Sequence, residues 1–451
     1  MQHKLIYNDI LETIGNTPLV RLSRLQGNLP VELLGKLERS NPGGSIKDRI
    51  ALSLVEAAER TGKLRPGGTI VEATSGNMGI GLALVAARKD YRCIIVMPWK
   101  MSAEREQIVR SLGGEVVRVP TEVPPEHPDS FLSTARRIAE TTPNAILINQ
   151  FCNQENPATH YRTTGPEIWE QTGGKVDAFV MGMGTGGTIS GVGRFLKEQK
   201  PSVRIVGAEP EGSIIKTYFD TGEKPEGQIY LVEGIGEDFL PESLQLQWVD
   251  EMRWVSDQAA FDMTLRLARE EGIFCGGSSG AQIQVALEVA AELPPGSTIV
   301  TTLPDTGSRY LSKLYNDSWL VARGLKNTAD LTAGGLVTIT GRPFYTCNAE
   351  TPLLEALARM DTHNLEVLPV LEGSVSSGTL YRDELVTLLL QGRELSGGKV
   401  GEWMQPPLPL VASSLPLAEL QPVLAATASV LVNKGESYIG VIQRQDIYRF
   451  L

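Results

Sequence analysis

Thr69-Ile70-Val71-Glu72-Ala73-Thr74-Ser75-Gly76-Asn77-Met78-Gly79-Ile80 is the stretch that decides the fold. Its first part is rich in β-branched and apolar residues and reads as a strand. Thr74 to Asn77 supply a polar glycine turn, and the apolar run over 80–87 reads as a helix. The same unit of strand, glycine loop and helix recurs along the chain. A strand over 93–97 leads to a helix over 103–112 and a strand over 115–119. A strand over 176–180 runs through Gly182-Met183-Gly184-Thr185-Gly186-Gly187-Thr188 into a helix ending near residue 197. Strands at 203–208 and 299–303 continue the series, and short strands over 16–20 and 31–37 precede it. Such alternation predicts an α/β fold, a parallel sheet covered by helices, with ligands at the carboxyl ends of the strands.

Upstream lies Ser40-Asn41-Pro42-Gly43-Gly44-Ser45-Ile46-Lys47-Asp48-Arg49, turn chemistry opening into the apolar periodicity of Ile50, Leu52, Leu54 and Val55. Ser45 is placed to cap the helix that follows. Lys47 then sits beside unpaired backbone N–H groups and the positive end of the helix dipole, which favours a neutral, nucleophilic amine. Gly184-Thr185-Gly186-Gly187-Thr188 offers close-approach backbone and two hydroxyls for a phosphate, without the lysine of a P-loop or the spacing of a dinucleotide fingerprint. Thr74-Ser75-Gly76-Asn77 adds an amide to two hydroxyls, suited to a carboxylate and one polar ring substituent. A third loop, Gly276-Gly277-Ser278-Ser279-Gly280, opens a helix over 281–291.

At 451 residues the chain is too long for one ordinary core. Lys plus Arg total 42 against 53 Asp plus Glu, a net charge of −11, which argues against nucleic acid or an anionic membrane as main partner. Cys93, Cys152, Cys275 and Cys347 are scattered without a Cys-x-x-Cys pair, so no disulfide framework and no metal site is expected. A reducing cytoplasm is the simplest setting. No apolar run is long enough to span a bilayer, and nothing marks the chain for export.

The pattern thins over 323–335, read as a linker. Beyond it is a repeat: Gly378-Thr379-Leu380-Tyr381-Arg382-Asp383-Glu384-Leu385 aligns with Gly440-Val441-Ile442-Gln443-Arg444-Gln445-Asp446-Ile447, an offset of 440 − 378 = 62. Leu368, Val370 and Gly373 keep that offset to Val430, Val432 and Gly435, so each half reads as two strands closed by a helix.

The early lysine and the three loops, in this order, resemble the fold-type II pyridoxal-phosphate enzymes, in particular the cysteine synthase and cystathionine β-synthase group. The resemblance covers about 5–320 and implies a catalytic domain over 1–322, two parallel-sheet subdomains with the cofactor between them. Lys47 would then form the internal Schiff base with pyridoxal 5'-phosphate and serve as the base at Cα. Asn77 would contact the cofactor's ring hydroxyl, Gly184, Thr185, Gly186, Gly187 and Thr188 its phosphate, and Ser278 its pyridine nitrogen. Thr74, Ser75 and Gln150 would bind the substrate carboxylate. A hydroxyl beside the pyridine nitrogen does not stabilise a protonated ring as a carboxylate would, so β-elimination is favoured over a long-lived carbanion.

Thr163-Thr164-Gly165-Pro166-Glu167-Ile168-Trp169-Glu170 looks like the cysteine synthases, which use O-acetylserine and sulfide. Glu209-Pro210-Glu211-Gly212-Ser213, Val232-Glu233-Gly234-Ile235-Gly236-Glu237-Asp238-Phe239 and Leu303-Pro304-Asp305 look like the synthases that join serine to homocysteine. The tail resembles a pair of CBS motifs, over 336–395 and 396–451. The expected reaction is therefore β-replacement giving cystathionine and water, with sulfide release when cysteine replaces serine. A cysteine synthase is the first alternative, and a ligand-sensing protein with decayed catalysis the second. Some residues depart from the group. Met78 stands in place of Thr, while Phe151 and Glu237 stand where animal and yeast enzymes have Tyr, which makes Glu237 a candidate acid near the substrate. The haem-binding extension of the animal enzymes has no counterpart, so no haem is expected. In the tail Asp446 is the candidate contact for a regulatory adenosyl ligand, with Gln443 replacing the usual hydroxyl. A homodimer or larger homo-oligomer is expected.

Overall fold

Apolar strands alternating with glycine-led helices produce two parallel sheets in the computed structural model, which describes residues 6–74, 76–99, 103–120, 123, 127–327, 331–393 and 397–450. Both sheets lie in a first unit, Met1–Leu311. The larger runs Leu19–Arg21, Glu32–Lys36, Thr298–Thr302, Ala178–Gly182, Arg204–Pro210, Glu251–Val255; the smaller runs Glu115–Val119, Arg92–Pro98, Thr69–Ala73, Ala145–Leu147. Every pairing is parallel except Leu19–Arg21 with Glu32–Lys36. That exception follows from the connection, a short helix Ser23–Gln26, since a parallel crossover needs a dozen or more residues. Thr69–Ala73, Ala178–Gly182 and Thr298–Thr302 are buried throughout, which is why they show no polar alternation.

The helix Lys47–Arg60 buries Ile50, Ala51, Leu54 and Val55 in a core shared with Met78, Ile80 and Leu82 of the helix Asn77–Lys89. Ser45 is not the N-cap residue. The helix begins one residue later than a Ser45 cap implies, and the Ser45 hydroxyl instead accepts the Lys47 N–H at 3.2 Å. One turn further, Arg49 is 3% exposed. It donates to Glu38 at 2.8 and 2.9 Å and to both oxygens of Glu167 at 2.7 Å. Lys36, wholly buried, donates to the Thr17 carbonyl, Glu167 and Gln171 at 2.7–2.9 Å. These charges tie the strand Glu32–Lys36, the turn Glu38–Ser40 and the helices Lys47–Arg60 and Thr164–Gln171 into one frame.

The second unit is Ser312–Leu451. The division falls ahead of residue 322 because Val321, on the helix Asp317–Ala322, packs with Leu331, Leu336 and Leu420. Regular structure also enters the span read as a linker: Thr332 accepts the Gly335 N–H and caps the helix Ala333–Thr340, while 328–330 lie outside the described residues. Two hairpins follow, Val367–Glu372 with Val375–Tyr381 and Ser429–Lys434 with Ser437–Gln443. Val370 faces Gly378 and Val432 faces Gly440, and each register shifts at the next residue, so the repeat extends to the bulge. The closing elements differ, an α-helix Arg382–Leu390 in the first half and 3₁₀ turns Arg444–Phe450 in the second. The halves also exchange pieces. Leu336 of the helix Ala333–Thr340 packs in the second hairpin's core, while Val400, Trp403 and Met404 pack in the first hairpin's core. Among the described residues no helix is long and apolar enough to cross a membrane.

Breaking the Arg49 frame leaves a buried charge short of its partner. Glu38→Ala is expected to cost about 3–5 kcal/mol, read by chemical denaturation of the first unit's transition. The acid dependence has a definite sign. Burial opposes ionisation of Glu167, but its bonds to Arg49 and Lys36 win and hold it at about 2, against 4.5 for a free glutamate. Its contribution is full above pH 4.5 and is lost as pH falls toward 2. An acid titration of the unfolding midpoint checks this.

Candidate active site

The lysine turn is held in place by backbone. Ile46 N–H donates to the Pro304 carbonyl at 2.8 Å, and Thr306 N–H donates to the Gly44 carbonyl at 3.1 Å. Gly43 admits no side chain, because a Cβ there would stand 2.5 Å from Asp48 Oδ1, while its N–H donates to Asp48 Oδ2. Burial raises the Asp48 carboxyl to about 7. Lys47 itself is half-buried. Burial lowers its ammonium from 10.5 to about 8, against the opposing pull of two carboxylates, Glu237 and Asp305.

Across the sheet, the glycine loop ends the strand Ala178–Gly182 and opens the helix Gly187–Gln199. Gly186 takes φ +76°, where only glycine sits easily, and a Cβ on Gly187 would meet Asn156 at 1.9 Å. Thr185 Oγ1 accepts from Asn156 Nδ2 at 3.0 Å, which keeps its own proton for a ligand. Thr188 Oγ1 pairs with His160 Nε2 at 3.1 Å, and His160 Nδ1 pairs with Thr164 Oγ1 at 2.9 Å. Burial, reinforced by Arg49 and Lys47, holds that imidazole neutral. The first-turn N–H groups of the helix have no carbonyl within it, which suits an anion.

Asn77 begins the helix Asn77–Lys89. Its Nδ2 donates to Asp305 Oδ2 at 2.8 Å and its Oδ1 accepts from Arg309, which leaves one amide N–H for a ligand. Arg309 also donates to the Gly43 carbonyl, and the Tyr310 hydroxyl donates to Asp305 Oδ2 at 2.7 Å. The quartet Asn77, Asp305, Arg309 and Tyr310 thus fastens the carboxylate loop to the lysine turn. Of these, the sequence marks only Asn77 as a site residue. Leu303-Pro304-Asp305 carries a family likeness alone, and nothing local marks Arg309 or Tyr310.

Ser278 is buried at the start of the helix Gly277–Ala290, one of whose neighbours, Gly276, packs against Asp305. Thr74 Oγ1 accepts the Gly76 N–H at 3.3 Å, and Gln150 is buried with its N–H on Glu72. Ser75 lies outside the described residues. Met78, where a hydroxyl was missed, is 1% exposed and packed in the hydrophobic core. Phe151 meets Phe239 edge to face at 5.1 Å. Glu237 is half-buried, its backbone pinned by Ser213, with Oε1 3.8 Å from where a Cβ on Gly184 would be. Burial and the neighbouring Asp238 raise its carboxyl to about 8, opposed by Lys47.

In the second unit, Asp446 is buried and fully engaged. Arg342 pairs with one oxygen, and Gln443 N–H donates to the other at 2.7 Å. Arg342 and Gln443 line a cavity of about 270 Å³ with Val337, Tyr345 and Gly440. Among the described residues no cluster of three or more His, Cys, Asp or Glu is arranged to hold a metal.

A family model described as pyridoxal-phosphate dependent enzyme matches residues 10–305, and one described as CBS domain matches 337–391. The chain is 46% identical to cystathionine beta-synthase of Oryctolagus cuniculus over 72% of its own length and 60% of the relative's, so it spans less than two thirds of that protein. It is 35% identical to cystathionine beta-synthase of Dictyostelium discoideum over 99% of this chain and 93% of that one. The solved structure of an O-acetylserine dependent cystathionine beta-synthase from Helicobacter pylori superposes with a TM-score of 0.64 at 39% identity, covering 69% of this chain and 99% of that one. The site fits pyridoxal phosphate. A lysine with a lowered ammonium and a helix start with free N–H groups suit its aldehyde and phosphate, and among the described residues the loops carry buried polar atoms without a partner: Asp48 Oδ1, Gln150 Oε1, Asp305 Oδ1 and Arg309 Nε.

Capture of an aldehyde needs the neutral amine. Covalent uptake of pyridoxal phosphate by cofactor-stripped protein should therefore accelerate about tenfold per pH unit and level off near pH 8 rather than near 10.5. Absorbance, with mass spectrometry after borohydride trapping, measures it, and Lys47→Ala should take up none covalently at this position.

Proposed function

The chain belongs to the pyridoxal-phosphate dependent enzymes, and on that premise we propose that it catalyses β-replacement, joining L-serine to L-homocysteine to give cystathionine and water. One observation carries the choice of serine. Glu237, raised to about 8, keeps a proton at neutral pH and lies near enough to Lys47 for their charges to interact. Hydroxide is a poor leaving group and needs that proton, whereas acetate leaves without one.

Pyridoxal phosphate, when bound, withdraws electrons from the substrate Cα. It would be held by Lys47, the loop 184–188, Asn77 and Ser278, with the amino-acid carboxylate at Thr74, Ser75 and Gln150. Lys47 takes the Cα proton, and the electron pair it leaves forms the Cα–Cβ double bond as the Cβ–O bond breaks. Glu237 gives its proton to the departing hydroxyl, which leaves as water. The thiol then adds at Cβ and passes its proton to the Glu237 carboxylate, while Lys47 returns a proton to Cα. Cysteine in place of serine would release sulfide by the same steps.

O-acetylserine with sulfide is the rival pair, favoured by the Helicobacter pylori relative's named dependence. Decayed catalysis loses one of its motives, since the Met78 side chain packs in the core, while the replaced Tyr positions Phe151 and Glu237 remain. For the tail we propose a part in assembly of a homodimer or larger homo-oligomer, because Arg342 already fills the Asp446 contact that an adenosyl ligand would use. Sedimentation showing a monomer, or calorimetric binding of S-adenosylmethionine or adenine nucleotides, would count against that. A reducing cytoplasm fits the four unpaired cysteines, and loss of activity on full thiol reduction would argue otherwise.

Glu237→Gln is expected to lower kcat with serine and homocysteine by about 10²–10⁴-fold while changing kcat with O-acetylserine and sulfide by less than about tenfold. In the unaltered protein, serine turnover should fall as pH rises through about 8, where the acid loses its proton. Faster turnover of O-acetylserine with sulfide, and equal losses with both pairs, would overturn the serine reading.

A further inference from the structure

Arg105 stands on the helix Ala103–Ser111, outside every loop that the sequence marks, and it is 3% exposed. Its guanidinium lies over the Tyr310 ring, with Cζ 4.9 Å from the ring centroid, and Nη1 is paired with Glu233. Among the described residues Nε has no acceptor. A buried guanidinium N–H without a partner is costly, and such groups are nearly always satisfied by protein, water or ligand. The position of this one is informative. A Cβ built on Gly76 would stand 3.3 Å from Arg105 Nε and 3.5 Å from Cζ, so the guanidinium packs against Gly76. The absence of a side chain on Gly76 is what lets the two approach.

We propose that Arg105 binds the α-carboxylate of the amino-acid substrate, Nε N–H donating to the carboxylate that the loop 74–77 holds. The inference rests on the β-replacement reading only in taking the substrate to be an α-amino acid. A planar guanidinium matches a carboxylate in geometry as well as charge. The charged groups around it are Glu233, Asp305 and Arg309, with the neutral Tyr310 phenol beside them. Glu233 belongs to the same segment as Glu237, so Arg105 also joins the carboxylate loop to the strip carrying the acid.

The test compares ligands with and without the charge. Serine and serinamide are titrated into the cofactor-loaded enzyme by its visible absorbance, for the unaltered protein and Arg105→Gln, with thermal melting to verify folding. The preference for serine over serinamide is expected to fall by about tenfold or more in Arg105→Gln, with serinamide affinity nearly unchanged. Equal weakening of both ligands, or an unchanged ratio, overturns the proposal. Should Arg105→Gln fail to fold, Glu233→Ala leaves the guanidinium in place and removes the acceptor of Nη1. It is expected to raise the serine-to-serinamide preference, and an unchanged preference overturns the proposal. O-acetylserine and its amide form a second pair, so an enzyme that favours O-acetylserine overturns the serine reading while the same ratio still tests Arg105.

Discussion

Arg49 must be paired wherever it is buried, and the catalytic half of the molecule is arranged around that requirement. Its guanidinium makes four hydrogen bonds to carboxylates from two different elements, Glu38 and Glu167, and Glu167 in turn satisfies Lys36. The helix start one turn earlier therefore has little freedom. Lys47 is set in position by a frame below it and by the backbone bridge from 304–306 beside it. A reactive amine held this way does not spend its chemistry on finding its orientation.

Burial then supplies the reactivity. The same desolvation lowers the Lys47 ammonium and raises the Glu237 carboxyl, and each moves to about 8 from opposite sides. The mutual attraction of their charged forms opposes both shifts. In the proposed β-replacement, an acid and a base of similar strength would exchange protons with the substrate in both directions at little uphill cost, as elimination and addition run the proton movements in reverse order.

Glycine loops could be read from the sequence because their constraint is local. Gly186 must adopt a left-handed backbone and Gly187 must lie against Asn156, and each need leaves its mark at one position. Eight of the ten strands in the two sheets are visible in the same way, within a few residues at their ends, whereas the short Ala145–Leu147 and the edge strand Glu251–Val255 carry no such mark. Partners made through space were not visible. Asn77 meets Asp305 and Arg309 from more than 200 residues away, and a lone arginine at 105 carries no pattern of its own. The direction of a side chain was equally hidden: Met78 counts as a lost hydroxyl in the loop's sequence, yet its side chain fills the core. The antiparallel edge strand Leu19–Arg21 depended on the length of a connecting helix, which apolar periodicity does not reveal.

The exchange of pieces in the tail has its own consequence. The helix before the first hairpin completes the second hairpin's core, and the turn before the second strand group completes the first. The two halves are therefore interlocked rather than strung in series, and the unit of inheritance is the pair. A gene fusion that carried one half would deliver an open core, while transplanting both together would carry a self-sufficient folding unit to a new host protein.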